Sequence, residues 1–160
     1  MKKLFTLLAL IITFSMNAQM DDNSANNNSA GTNSVAMGNN TTASGNNSTA
    51  MGYFTTASGN KTTAMGANTT ASDYASLVIG QFNYSGSSVT NNATSYNTAN
   101  TAFVIGNGTD SSNKSDAFKV MFNGDATVSN DLTVSGDVVI SSDARLKSNI
   151  VSLGSTLPKL

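Results

Sequence analysis

Between residues 33 and 88 the chain repeats itself every fourteen residues, and that period leaves few folds open. NSVAMGNNTTASG (33–45) is followed by NNSTAMGYFTTASG (46–59), NKTTAMGANTTASD (60–73) and a drifting fourth copy, YASLVIGQFNYSGSS (74–88). Gly38, Gly52, Gly66 and Gly80 fall fourteen apart, as do Met37, Met51, Met65 and Ile79. Thr41, Thr55 and Thr69 keep the same step, and so do Ala43, Ala57 and Ala71. A short fixed period held over four copies marks a solenoid, in which each copy is one coil stacked on the last.

Fourteen residues make two short strands and two turns. SVAM and TTAS alternate as strands do, and a glycine closes each. Alternation sets the faces: Val35 and Met37 point one way, Ser34 and Ala36 the other. Only the small side fits inside a narrow coil, so the larger side is expected to be buried elsewhere. A ribbon of four coils rising about 4.8 Å each is too thin to shield a Val/Met stripe, which favours association through it. TAFVIGNG (101–108) reads as a displaced fifth copy, Val104, Ile105 and Gly106 matching Val78, Ile79 and Gly80. The Asn/Ser/Thr-rich insertion before it is expected to loop out. In SDAFKVMFNG (115–124), Phe118, Val120 and Phe122 alternate before an Asn-Gly turn.

The period then drops to six: DATVSN (125–130), DLTVSG (131–136) and DVVISS (137–142), each with Asp first, Val or Ile fourth and Ser fifth. Turns every six residues suit a triangular prism with one strand on each face. At the other end, MKK, the apolar run LFTLLALIITF (4–14) and SMNAQ, with a cut after Ala18, read as a secretory signal peptide. The run is too short to span a bilayer, so the mature chain is expected to hold no integral membrane segment. Residues 19–32, QMDDNSANNNSAGT, lack apolar periodicity and read as a flexible leader. The domain plan is therefore 1–18 signal peptide, 19–32 leader, 33–106 head repeats, 107–141 connector and shaft, and 142–160 the start of a further domain.

Composition removes most catalytic chemistry. The 160 residues contain no His and no Cys, which excludes Ser-His-Asp triads, thiol catalysis, disulfides, Cys-ligated zinc and a lipoprotein anchor. A net charge of -1, with 11% charged residues, gives no nucleic-acid footprint. No cofactor and no metal are expected. Asp125, Asp131 and Asp137 fall in one column, but turn chemistry accounts for Asp there.

The NSVAMG and TTASG units of residues 33 to 86 resemble the head repeats of trimeric autotransporter adhesins. The resemblance implies an all-β fold, a left-handed parallel β-roll head of 14-residue repeats followed by a β-prism-like shaft, expected as an intertwined homotrimer. It also implies export to the surface of a Gram-negative cell, or secretion from it, and binding to a host or environmental surface receptor or glycan. The membrane β-barrel anchor of that family has no counterpart here. SDARLKSNI (142–150) resembles the opening of the intramolecular chaperone of phage endosialidases and tail spikes, the peptidase S74 domain, which trimerises a fibre and then cuts itself free. By position, Ser142 would be the nucleophile, Lys147 the general base, and the bond before Ser142 the one broken. A neutral Lys serves as base where no His exists, given burial or a cationic neighbour such as Arg145. That domain runs for many tens of residues beyond this point, so the chain is expected to be a truncated form with the dyad inactive; Ile150, Leu153 and Leu157 then mark one amphipathic segment. No enzyme acting on an external substrate is expected.

The pairs Thr41-Thr42, Thr55-Thr56 and Thr69-Thr70 stack as a ladder resembling ice-binding β-solenoid faces, although Thr is simply a good strand residue, which is the preferred reading. Tyr53, Phe54, Phe82 and Tyr84 are either a contact patch or, preferably, loop packing.

Overall fold

The computed structural model describes residues 26–137, and every regular element among them is a strand. Each coil contributes one five-residue and one two-residue strand: β1 (Val35–Asn39) and β2 (Thr42–Ala43), β3 (Thr49–Tyr53) and β4 (Thr56–Ala57), β5 (Thr63–Ala67) and β6 (Thr70–Ala71). β7 (Leu77–Gln81) and β8 (Thr101–Asn107) continue the longer series, and β9 (Asp116–Met121) and β10 (Ala126–Val128) follow. The long strands form one sheet in the order β1-β3-β5-β7-β8-β9-β10, and the short ones a second, β2-β4-β6. Pairing is parallel from β1 to β8, with residues fourteen apart opposite each other in the regular coils, as in Ala36↔Ala50 and Met37↔Met51. β8 joins β7 through Val78↔Val104, Ile79↔Ile105 and Gly80↔Gly106, the partners its sequence match gives.

The corners explain why the period is so strict. Asn26, Asn33, Asn40, Asn47, Phe54, Lys61, Asn68, Ala75 and Phe82 all have positive φ, between 42° and 73°, one at every seventh residue. Two corners per coil therefore pass through the left-handed region, which Asn tolerates better than other side chains. The left-handed residue aims its N–H at the coil before: Asn47 donates to the Thr32 carbonyl, Lys61 to Asn46, Ala75 to Asn60, Phe54 to Asn39 and Asn68 to Tyr53. Coil-to-coil pairing is thus unbroken around the bends, where a turn would otherwise strand its backbone groups. Asparagine side chains add a second ladder, Oδ1 of Asn46 accepting from Thr32 N and Oδ1 of Asn60 from Asn46 N, both at 3.0 Å.

The coil is closed to all but the smallest side chains. Its fully buried apolar residues are Ala36, Ala50 and Ala64 of the long sheet, Ala43, Ala57 and Ala71 of the short one, and Val78 and Val104. The valines occur where the short sheet has ended and the interior is wider. One set of buried hydroxyls is satisfied locally, Ser34, Ser48 and Thr62 each donating to the carbonyl three residues back at 2.7 Å. Coils also touch directly through backbone: a Cβ on Gly52, whose φ is +128°, would lie 2.1 Å from the Gly66 carbonyl oxygen.

Three expectations are corrected. The roll begins before residue 33: Asn28 bridges Thr42, and Asn28 N and Gly31 N donate to the Thr41 and Ala43 carbonyls, so residues 26–32 are a partial coil and not a leader. The composition of the segment hid this, because its contribution is backbone and Asn side chain. The insertion before β8 does not loop out. Buried Asp73 accepts from Thr90 N at 2.6 Å and Thr101 N at 2.8 Å, Tyr74 N and Asn60 N donate to the Asn92 and Ala93 carbonyls, and buried Asn100 ties back to Asn92. Thirdly, the first six-residue unit does not lie on a prism face. The Asn123-Gly124 turn folds Ala126–Val128 back antiparallel on β9, with Val128 opposite Phe118. Residues 129–137 carry no strand and are exposed.

The loop between β8 and β9 is organised by Asp110. Its carboxylate accepts from the Asn113 side chain at 3.0 and 2.9 Å and from Ser112 N at 2.8 Å, which holds the carboxyl below its ordinary range. That contribution is present above the unfolded-state pKa and is lost as pH falls through the folded one.

Gly52→Ala combines a forbidden backbone conformation with a carbonyl clash between coils, and is expected to destabilise the roll by about 3 kcal/mol or more. Urea unfolding followed by circular dichroism measures it, and an unchanged midpoint would refute the stacking account.

Candidate interaction face

Alternation that sends alanines inward sends larger side chains outward from the long sheet. Val35 and Met37 on β1, Met51 on β3, Met65 on β5, and Leu77 and Ile79 on β7 share this face, as their register shows. Phe103 and Ile105 continue it on β8. It extends further than the repeats reveal, because the antiparallel pairs Phe103↔Val120, Ile105↔Phe118 and Val128↔Phe118 keep their side chains on the same side. Phe103 and Phe118 meet edge to face at 6.0 Å. The result is one apolar face crossing all seven strands, each residue partly exposed, with Met65 and Leu77 at 38%. Soluble monomers rarely expose a contiguous apolar patch of this extent, and such patches mark interaction sites.

A second exposed apolar feature sits on a corner. Tyr53 and Phe54, 53% and 47% exposed, replace the Asn39-Asn40 pair of the previous coil and stack edge to face at 4.6 Å. They pack on each other and remain open to solvent, as does Tyr84, so loop packing does not account for them.

Ser142 and Lys147 lie outside the described residues, as do Arg145, Ile150, Leu153 and Leu157. Asp125 and Asp131 are exposed, and among the described residues no group of three potential metal-ligating side chains forms. The insertion's anchor, Asp73, was missed by sequence reasoning although it left a signal: it stands where Gly31, Gly45 and Gly59 stand in the earlier coils.

Residues 29–55 and 57–83 each match the YadA head domain repeat. The two copies cover about a third of the chain and coincide with the stacked coils from β1 through β7. No curated protein and no solved structure matches the chain. Each matched stretch of 27 residues spans about two coils, with two long strands and a short strand between them. β8, β9 and β10, which extend the apolar face, lie beyond the matched residues.

The threonine pairs of the YadA head repeats do not form a ladder two hydroxyls wide. Thr41, Thr55 and Thr69 are fully buried inside the coil, and only Thr42, Thr56 and Thr70 face outward. Strand alternation forces this: adjacent residues cannot share a face. The structure therefore removes half of the surface that the ice-binding reading requires. Thr41 Oγ1 donates to Asn27 Oδ1 at 2.9 Å, whereas Oγ1 of Thr55 and of Thr69 is buried with no hydrogen-bond partner. Replacing an unsatisfied buried hydroxyl by a methyl of the same shape removes a desolvation cost. Thr55→Val is expected to stabilise the roll by about 1 kcal/mol, read as a raised urea midpoint; a loss of stability would show that the hydroxyl has a partner.

Proposed function

We propose that this chain is an exported structural and adhesive fibre protein, a homotrimer whose β-roll is the head and whose six-residue repeats after the first belong to the shaft, binding surfaces rather than turning over a substrate. One observation carries the reading: the apolar face that crosses all seven long strands stands opposite an interior already filled by alanines. Among the described residues nothing covers that face, which supports a partner doing so. Three copies about one axis cover it symmetrically, each presenting the same stripe. The match to the YadA head domain repeat supports the adhesive role, and the apolar run of residues 4–14 supports export to the cell surface. The occupant of the head is a surface receptor or glycan.

Light scattering coupled to size-exclusion chromatography tests the assembly. The full chain is expected to elute with three times the chain mass. Met51→Lys combined with Ile79→Lys, both on the outward face, is expected to give a single-chain mass with the β circular dichroism retained. A wild-type monomer with intact β structure would overturn the trimer.

The SDARLKSNI motif favours a second, separate step. In a form that continues through the S74-type domain, Ser142 is proposed as the nucleophile and Lys147 as the base of a single self-cleavage before Ser142. Such a form is expected to show a smaller fibre product on denaturing gels, abolished by Ser142→Ala and by Lys147→Ala; cleavage that survives either substitution rules the dyad out.

A further inference from the structure

The two sheets of the roll are unequal, and the inequality opens a cleft. β8, β9 and β10 extend the long sheet past the last short strand, β6, so no strand faces their inner side. The segment after β7 crosses there instead and encloses a space of about 350 Å³. A register shift between Thr101 and Phe103 sets Thr101 opposite Met121, so that Thr101, Lys119 and Met121 line the sheet side of the cleft. Ser87 and Thr90 line it from the crossing segment, Thr90 Oγ1 lying 3.3 Å from Thr101 Oγ1, and Tyr84 stands at its edge, 71% exposed.

Lys119 is the informative residue. It is half-buried in this cleft, and among the described residues it has neither hydrogen bond nor ion pair. The nearby Asp116 is committed elsewhere, its carboxylate accepting from Tyr84 N at 2.8 Å and Ser85 N at 2.9 Å. An ammonium that lines a cleft without a counter-charge is available for strong charge-assisted bonds with an anionic oxygen.

We infer that the cleft binds a carboxylate-bearing sugar, Lys119 taking the carboxylate, the exposed Thr90 hydroxyl and the Ser87 oxygen, whose proton goes to the Tyr84 carbonyl, taking ring hydroxyls, and Tyr84 stacking on the apolar face of the ring. A single ammonium matches the single charge of a carboxylate; phosphate recognition draws on several donors, an Arg fork or a backbone nest, and the cleft has no Arg. The volume is at the low end for small-ligand sites, roughly 300–1,000 Å³, which suits one terminal sugar rather than a long chain. Access is compatible with assembly, because Lys119 and Met121 alternate along β9 with Phe118 and Val120 of the apolar face. Covering that face leaves the cleft open. The assignment deepens the adhesive reading and rests on it for the role of the cleft, though the chemistry of the cleft stands by itself.

Saturation-transfer NMR on the full chain, with galacturonate and neutral galactose as probes, tests it. Galacturonate is expected to bind and galactose to bind about tenfold more weakly, the size of one charged hydrogen bond. Lys119→Met, which keeps the apolar stem, is expected to abolish the difference, and Lys119→Arg to restore most of it; circular dichroism and solution mass confirm that each variant is folded. Equal binding of the two sugars, no binding of either, or undiminished galacturonate preference in Lys119→Met would overturn the assignment. The wild-type comparison decides even if a variant fails to fold. Loss of sugar discrimination with a trimeric mass removes the cleft alone, and discrimination with a monomeric mass removes the assembly alone.

Discussion

Everything in this fold follows from laying equivalent backbone directly over equivalent backbone, fourteen residues on. Parallel pairing at that offset is satisfied only if the chain turns twice per coil without losing a hydrogen bond, and the left-handed residue at every seventh position does this. The same stacking brings glycine carbonyls so close to the coil above that a β-carbon has no room. It also fixes the interior width: two sheets from one fourteen-residue loop enclose space for methyl groups and little more. Burying a methyl is worth about 0.8 kcal/mol, so an alanine column is a weak hydrophobic core. The roll is held chiefly by its ladder of backbone hydrogen bonds, and its larger apolar side chains, which have nowhere to go inside, are left on the outer sheet face.

The end of the roll shows what happens when that constraint relaxes. The short sheet stops at β6, alanine gives way to Val78 and Val104, and Asp73 replaces a glycine. Asp73 then performs with a carboxylate what the next coil would have done with backbone, holding Thr90 N and Thr101 N. Asn83 does likewise for Thr70, accepting from its N and donating to its carbonyl at 2.8 and 2.9 Å. The edge of a parallel stack is a row of unpaired groups that would template further pairing. Here side-chain amides and carboxylates close part of it, and β8 to β10 close the rest by turning the sheet antiparallel.

The repeat made the coils, the small inward face and the large outward face legible, because stacking forces identical environments on residues fourteen apart, and the same environment selects the same residue. What it could not show were the parts where backbone or polar side chains do the work without a period. Asn28 and Gly31 build a coil in a segment with no apolar pattern. Asp73, Asn92 and Asn100 fold an insertion whose composition reads as linker. The six-residue period misled at its first unit, since Phe118 and Val120 with an Asn-Gly turn make a stronger local hairpin than one repeat makes a prism. The outer face was legible as far as Ile105 and hidden beyond it, because Phe118 and Val120 join it through antiparallel pairing that no repeat announces. The cleft was not legible at all: it exists because one sheet outlasts the other, and sheet length is a tertiary outcome.

Strand alternation then divides the labour of the distal coils. On β9, Phe118 and Val120 extend the apolar face while Lys119 and Met121 line the cleft behind it. One strand of six residues thus presents an apolar face on one side and a polar cleft lining on the other, and neither side constrains the other's side chains. A regular coil cannot do this, because its inner side is sealed by alanine. Only where the short sheet ends does the inner side become available, which is why a polar cleft lined by Ser87, Thr90 and Lys119 forms there and not along the repeats. The regular coils carry a continuous apolar surface, and the broken coil carries the polar cleft.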